Sequence, residues 1–298
     1  MIQMKGITKC FGRKTALQEL NCTVEDGSIY GLVGYNGAGK TTLLKTIAGI
    51  YRPESGRVLI EGENIFENVP LKQRLFLVPD EPYFLAQASL NRMAAFYKGY
   101  YPTWSDKVYK KLAEFLELDC SARINSFSKG MQRQASILLA LSVQPQYLLL
   151  DESFDGLDPA KRNLVKRVLL EFLAEKNTCV VISSHNLREL EDLCDHIGLI
   201  NGKRLVLDNS VDEMRQSRSK YRVAFQNDIK PEDFTGLNLK KPMIQGRLIN
   251  FISDVSTEEM QAKLAPLGPV LFETVPMTLE EIFLDEMEVK DYDLHELF

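Results

Sequence analysis

The apolar run IYGLV passes directly into Gly34-Tyr35-Asn36-Gly37-Ala38-Gly39-Lys40-Thr41-Thr42, and a helical pattern follows as far as Gly49. This stretch satisfies GxxxxGK[ST] in the strand, loop and helix setting that the pattern requires. Three glycines let the backbone wrap with its N–H groups turned inward, and the helix N-terminus adds a positive dipole. A loop of this kind cradles phosphate. Lys40 reaches the outer phosphates of a nucleotide and the Thr41 hydroxyl can ligate Mg²⁺. Gly34, Asn36, Gly37, Ala38, Gly39, Lys40, Thr41 and Thr42 are therefore the expected nucleotide contacts.

Strand and helix patterns alternate around that loop. SIYGLVG, RVLIEG, residues 75–78, YLLLDE and CVVISS read as strands, and helical periodicity occupies 39–49, 89–98, 106–117, 130–143 and 160–174. The last strands are solidly apolar, as in a mostly parallel sheet covered by helices on both faces. Between Pro82 and Gln144 strand signals vanish and Tyr83, Phe84, Phe96, Tyr97, Tyr100, Tyr101 and Trp104 gather. This predicts a helical subdomain over about 82–144, with the aromatics as its packing core. After Arg215, YRVAFQ, RLINFISDV and VLFETV read as strands, and TEEMQAKLAPLG and TLEEIFLDEM as helices. The α/β domain is thus expected over 1–215 and a small α+β appendage over 216–298.

Charge divides at the same place. Residues up to 215 hold 27 basic and 26 acidic side chains, the remainder 9 and 15, and the whole chain carries −5. A protein that coats nucleic acid needs a basic excess, so no nucleic-acid partner is expected. No run approaches 18 apolar residues, and the start MIQMKGITKCFG lacks the basic-then-apolar order of an export signal. The chain is expected neither to span a membrane nor to be exported. Five cysteines without metal spacing read as reduced thiols of a cytosolic protein. Histidines at 185, 196 and 295 are too dispersed for a metal cage, so a catalytic metal would sit on oxygen ligands. YLLLDE offers them: a buried strand emerges into Asp151, placed to hold the magnesium shell, and Glu152, placed to polarise an attacking water.

Phe127-Ser128-Lys129-Gly130-Met131-Gln132 opens a helix, with Ser128 23 residues before Asp151. It resembles the signature motif, LSGGQ in consensus, of the ATP-binding cassette (ABC) family. Other matches follow the family's order: Phe11 is similar to the aromatic that stacks on adenine, Gly156-Leu157-Asp158 to the D-loop, and His185, after VVISS, to the switch histidine. The resemblance covers about residues 1–215 and implies a P-loop NTPase of the ABC cassette type. It further implies that Ser128 and Gly130 touch a γ-phosphate, that Asp158 belongs to the nucleotide site, and that His185 acts with Glu152 in catalysis. Taken singly, Ser128 also reads as a helix cap, Phe11 as a core aromatic and His185 as a hydrogen-bonded residue at a strand end.

The signature departs from consensus at Phe127, Lys129 and Met131. The larger departure lies in LVPDEP, where Asp80 stands in place of the Q-loop glutamine. An aspartate still offers oxygen to magnesium or its water, yet it is shorter and charged. Asp80 is expected at a joint between nucleotide and partner. The resemblance also implies ATP and Mg²⁺ as cofactors, a second cassette, identical or related, and a separate transmembrane permease subunit. The chain would then be cytoplasmic and peripheral on the inner face of the cell membrane. TLEEIFL near Phe283 and the Tyr-Pro-Thr-Trp segment resemble exporter cassettes. The alternative is a soluble ABC ATPase acting on ribosomes or DNA; the single cassette, the lack of a long coiled-coil insertion and the acidic appendage stand against it.

Overall fold

Two sheets, rather than one, enclose the helix that follows the phosphate loop. The computed structural model describes residues 1–216, 219–237, 239–275 and 277–282. Its contacts divide the chain into Met1–Asp208 and Asn209–Phe298, against the expected 215/216. The first unit opens with β1 (Ile2–Phe11) and β2 (Lys14–Val24), paired antiparallel from Ile2 opposite Val24 to Phe11 opposite Lys14. β3 (Ile29–Val33), buried at every position, leads to α1 (Lys40–Ile47). β4 (Ser55–Ile60), β5 (Glu63–Asn64), α2 (Val69–Lys72) and β6 (Leu75–Val78) come next. Three helices follow: α3 (Leu90–Tyr100), α4 (Asp106–Phe115) and α5 (Lys129–Ser142). The remainder comprises β7 (Tyr147–Asp151), α6 (Pro159–Glu175), β8 (Cys179–Ser184), α7 (Leu187–Leu190), β9 (His196–Asn201) and β10 (Arg204–Ser210), whose last two residues are counted with the second unit.

The six-stranded sheet has the order β10-β9-β3-β8-β7-β6, and its pairs from β9 through β6 are parallel. Strands β3, β8 and β7 are adjacent, so the loops at their C-terminal ends converge. Those loops contain Gly34, His185 and Glu152. The expected mostly parallel sheet is this six-stranded one; RVLIEG, read among its strands, belongs instead to a separate antiparallel sheet of β2-β1-β4-β5, which corrects its placement. β1 buries Ile2, Met4 and Ile7 and leaves most of its other residues half-buried, so it presents no unbroken apolar run. These residues, with Leu17 and Leu20 of β2, join one core with Leu43, Leu44 and Ile47 of α1 and Leu149 of β7. Burial of each such side chain contributes about 1.5–3 kcal/mol, and together they fix the axis of α1.

No strand lies between 82 and 144 among the described residues, and α3, α4 and α5 share a core of Leu90, Met93, Tyr109, Leu116, Phe127 and Leu138. Tyr97 and Trp104 pack against it, but Tyr83, Tyr100 and Phe96 are 77%, 61% and 39% exposed, which corrects their reading as core aromatics. α3 buries Leu90, Met93 and Ala94, whose spacing fills one face; Phe96 and Tyr100, four apart, lie on another. Ser89, Ser105, Ser128 and Asp158 cap their helices by accepting from backbone amides three residues on.

The second unit contains α8 (Val211–Gln216), β11 (Ser219–Phe225), β12 (Lys240–Gln245), β13 (Leu248–Ser253), α9 (Thr257–Leu264) and β14 (Pro269–Val275). Its antiparallel sheet, ordered β12-β13-β11-β14, packs Tyr221, Val223 and Phe251 with Met260 and Leu264 of α9. β12 contains Pro242, and its edge position tolerates the missing amide. Of the helix expected over 278–287, the part beyond 282, including Phe283, lies outside the described residues.

Candidate functional site

Glycine is required at two points of the loop after β3. A Cβ on Gly34 would meet the Ile200 carbonyl at 2.7 Å, and one on Gly39 would meet Leu17 at 2.8 Å and the Ala16 carbonyl at 2.9 Å. Gly39 also has a φ of 114°, in the region that L side chains avoid. It is the N-cap of α1 and supplies no side chain, so the first amides of the helix remain available to an anion. Lys40 is buried and its ammonium donates to the carbonyls of Gly34, at 2.5 Å, and Tyr35, at 3.2 Å. Asn36 and Gly37 are exposed at the loop's tip, while Ala38, Thr41 and Thr42 are half-buried.

The acidic pair reaches the same place from β7. Asp151, 1% exposed, accepts a 2.6 Å hydrogen bond from the Ser183 hydroxyl of β8. The Glu152 amide donates to the Ser183 carbonyl at 3.2 Å and to its hydroxyl at 3.1 Å. Glu152 takes a φ of 44°, a strained conformation for a residue with a Cβ, and the neighbouring strand over-determines it. Its two carboxylate oxygens face different partners: Oε1 is 3.0 Å from the Lys40 ammonium, and Oε2 is 3.0 Å from Nδ1 of His185.

Electrostatics follow from that geometry. Burial pushes the Glu152 carboxyl up, but the hydrogen bonds from Lys40 and His185 outweigh it and hold the group below its ordinary range. The bond to Glu152 raises His185 above the ordinary imidazole value, against a smaller effect of burial. Asp155 is raised by burial and then by the Glu152 charge. It lies 3.8 Å from His185 Nδ1, and ligand atoms of Glu152, Asp155 and His185 all fall within 4.8 Å of one another. The Lys40 ammonium already supplies the cation beside Glu152.

Lys40, Glu152 and His185 are thus brought together, with Asp151 beside Glu152 at the end of β7 and bonded to Ser183. Ser128 accepts from the Met131 amide at 3.2 Å, Asp158 accepts from the Lys161 amide at 2.9 Å, and a Cβ on Gly130 would lie 3.4 Å from the Gly156 carbonyl. Among the described residues no hydrogen bond or ion pair joins these three to Lys40 or Glu152. Phe11 does not enter the core. It is 46% exposed, edge-on to Tyr51 at 5.3 Å and with the Lys9 ammonium over its ring. Asp80 is paired with Arg133 at 3.2 Å. Sequence reasoning missed Asp155, Ser183 and Arg133; only Asp155, three residues after Glu152, had a positional signal.

A family model described as ABC transporter matches residues 17–155. The Nod factor export ATP-binding protein I of Burkholderia lata (strain ATCC 17760 / DSM 23089 / LMG 22485 / NCIMB 9086 / R18194 / 383) is 30% identical, over 95% of this chain and 95% of its own. This chain belongs to the ABC transporter ATP-binding proteins. The cassette is also 28% identical to the ABC transporter ATP-binding protein YtrB of Bacillus subtilis (strain 168), over 95% of this chain and 97% of that protein. A solved structure described as the ATP-binding subunit of an ABC transporter superposes with a TM-score of 0.65 at 25% identity, covering 72% of this chain and 92% of the other. The cassette is accordingly an ATP-binding subunit with the α/β fold of a P-loop NTPase, and an ATPase by family. No helix among the described residues is long and apolar enough to cross a membrane.

Proposed function

We propose that this cassette hydrolyses Mg·ATP at Glu152 and drives a separate membrane-spanning permease, as one half of a sandwich of two cassettes around two nucleotides. The observation that carries the catalytic part is the placement of Glu152 between Lys40 and His185, 3.0 Å from each. The donor set fits a triphosphate. Uncapped α1 amides and a buried ammonium face the loop, and Gly37, at a φ of 83°, has open space where a Cβ would stand. Thr41, Asp151 and Asp80 are the oxygen donors that would hold Mg²⁺, which when bound neutralises charge on the outer phosphates.

Lys40 exchanges its contact with Glu152 for phosphate oxygens as ATP enters, and so releases one carboxylate oxygen. The Glu152 carboxylate, still bonded to His185, accepts a proton from the attacking water while that water's oxygen bonds to the γ-phosphorus. The bond from the γ-phosphorus to the bridging oxygen breaks, and ADP keeps that oxygen's electron pair. His185 holds the Glu152 carboxylate in line through Nδ1. Ser128 and Gly130 serve the γ-phosphate of the partner's nucleotide, Asp158 belongs to the joint between the chains, and the exposed ring of Phe11 stacks on adenine.

Export is the direction supported by the relative from Burkholderia lata, whose name is a Nod factor export protein. The working location is the cytoplasmic face of the membrane, and no nucleic acid is needed. Glu152→Gln should keep ATP binding and lower turnover by about 10² or more. The variant should also accumulate an ATP-stabilised dimer on size-exclusion chromatography. Near-normal turnover removes Glu152 from catalysis. Recovery of nucleic acid, with no hydrophobic membrane protein, in a pull-down removes the permease.

A further inference from the structure

Arg133 is a buried cation with two loops to answer to. It sits on α5, five residues beyond the Ser128 cap, and its side chain is 9% exposed, whereas that of its partner Asp80 is 52% exposed. One guanidinium nitrogen lies 3.2 Å from Asp80 Oδ1 and another donates to the Pro79 carbonyl at 3.1 Å. These bonds tie the segment leaving β6 to the signature helix. The same charge acts on Asp155, in the turn after Glu152. A guanidinium removed from water requires a compensating charge, and its rigid fork suits one carboxylate and one carbonyl.

The charge at position 80 poses a problem that this pair answers. An uncompensated carboxylate beside a polyphosphate repels it, most strongly where water is excluded. We propose that Arg133 is a positioning residue for hydrolysis, which fixes the Asp80 loop on the signature helix and cancels the Asp80 charge toward the nucleotide. The pair then presents the near-neutral face that a single glutamine amide would present. A displacement sensed at Asp80 passes to α5 through two hydrogen bonds, so the loop and the signature helix move as one body. This inference rests on the proposed function, in which the loop is the nucleotide site and Asp80 faces it.

The test is equilibrium binding of a fluorescent ATP analogue without Mg²⁺, which requires no hydrolysis. Wild type, Arg133→Gln, Asp80→Asn and the double variant are compared at low and high salt. Arg133→Gln exposes an unpaired Asp80, so binding weakens about tenfold at low salt and the loss shrinks as salt screens the repulsion. The double variant returns to within about threefold of wild type, because both charges are gone. A double variant as weak as Arg133→Gln, or a loss indifferent to salt, overturns the proposal and leaves Arg133 a packing residue. Where Arg133→Gln does not fold, Arg133→Lys keeps the charge and binds within about threefold of wild type; a tenfold loss there overturns the proposal as well. Failure of the wild-type chain to bind the analogue sinks the nucleotide site itself, a separate outcome.

Discussion

At the scale of single residues, Glu152 shows how a buried carboxylate stays ionised: one oxygen meets the Lys40 ammonium and the other the His185 ring. The pairing makes stability depend on pH. His185 is raised, so its contribution is complete below its ordinary value of about 6.5 and is lost as pH climbs through the folded value. Glu152 is lowered, so its contribution is present above the ordinary carboxylate value of about 4.3 and is lost as pH falls through the folded one. The contact is therefore strongest between about pH 5 and 6.5. His185 is 45% exposed, and solvent screens most of the effect. In the nucleotide-free chain, His185→Ala should lower Tm by about 1–2 °C near pH 6 and by less at pH 8.5. A gap that widens as pH rises contradicts the assigned pairing.

At the scale of elements, α1 is fixed at its start by glycine geometry and along its length by two sheets. Gly39→Ala forces a Cβ into a φ of 114° and to within 2.8 Å of Leu17, at a cost of about 1–3 kcal/mol. Gly37→Ala, at a φ of 83° in open space, carries only the conformational part, about 1 kcal/mol. Urea unfolding should rank Gly39→Ala below Gly37→Ala by at least 0.5 kcal/mol, and the reverse order refutes the steric argument. Such elements differ in how well the sequence discloses them. β3, β7 and β8 are buried at every position, so their apolar runs stand out, and the loop and Asp151-Glu152 are found at their ends. β1 and β2 stayed illegible because their pairing is broken by shifts in register and β1 is mostly half-buried, and β12 because Pro242 argues against a strand. Lys40 and Glu152 could be read from motif order. Arg133 could not be matched to Asp80, since a partner 53 positions away is a product of the fold.

At the scale of the whole molecule, the proposed sandwich places each nucleotide between Lys40 of one chain and the signature of another, a two-fold arrangement in which both sites are composite. Lesions in the two halves of a site should then complement. Lys40→Ala removes the ammonium from the loop. Gly130→Asp sets a carboxylate where a γ-phosphate is expected, and a Cβ there meets only the Gly156 carbonyl at 3.4 Å and Leu157 at 3.7 Å, so the fold tolerates it. The new carboxylate also favours the start of α5, which makes unfolding an unsuitable explanation for lost activity. Each variant alone should be nearly inactive, because every site in its dimer lacks one half. Mixed in equal amounts, about half of the dimers contain one chain of each kind. In such a dimer one site carries both lesions and the other carries neither, so about a quarter of wild-type ATPase activity should return. Recovery must rise with the fraction of mixed dimers as the ratio is varied, with a maximum at equal amounts. Additive, near-zero rates at every ratio rule out composite sites made by two copies of this chain and assign the missing halves to a different, related cassette.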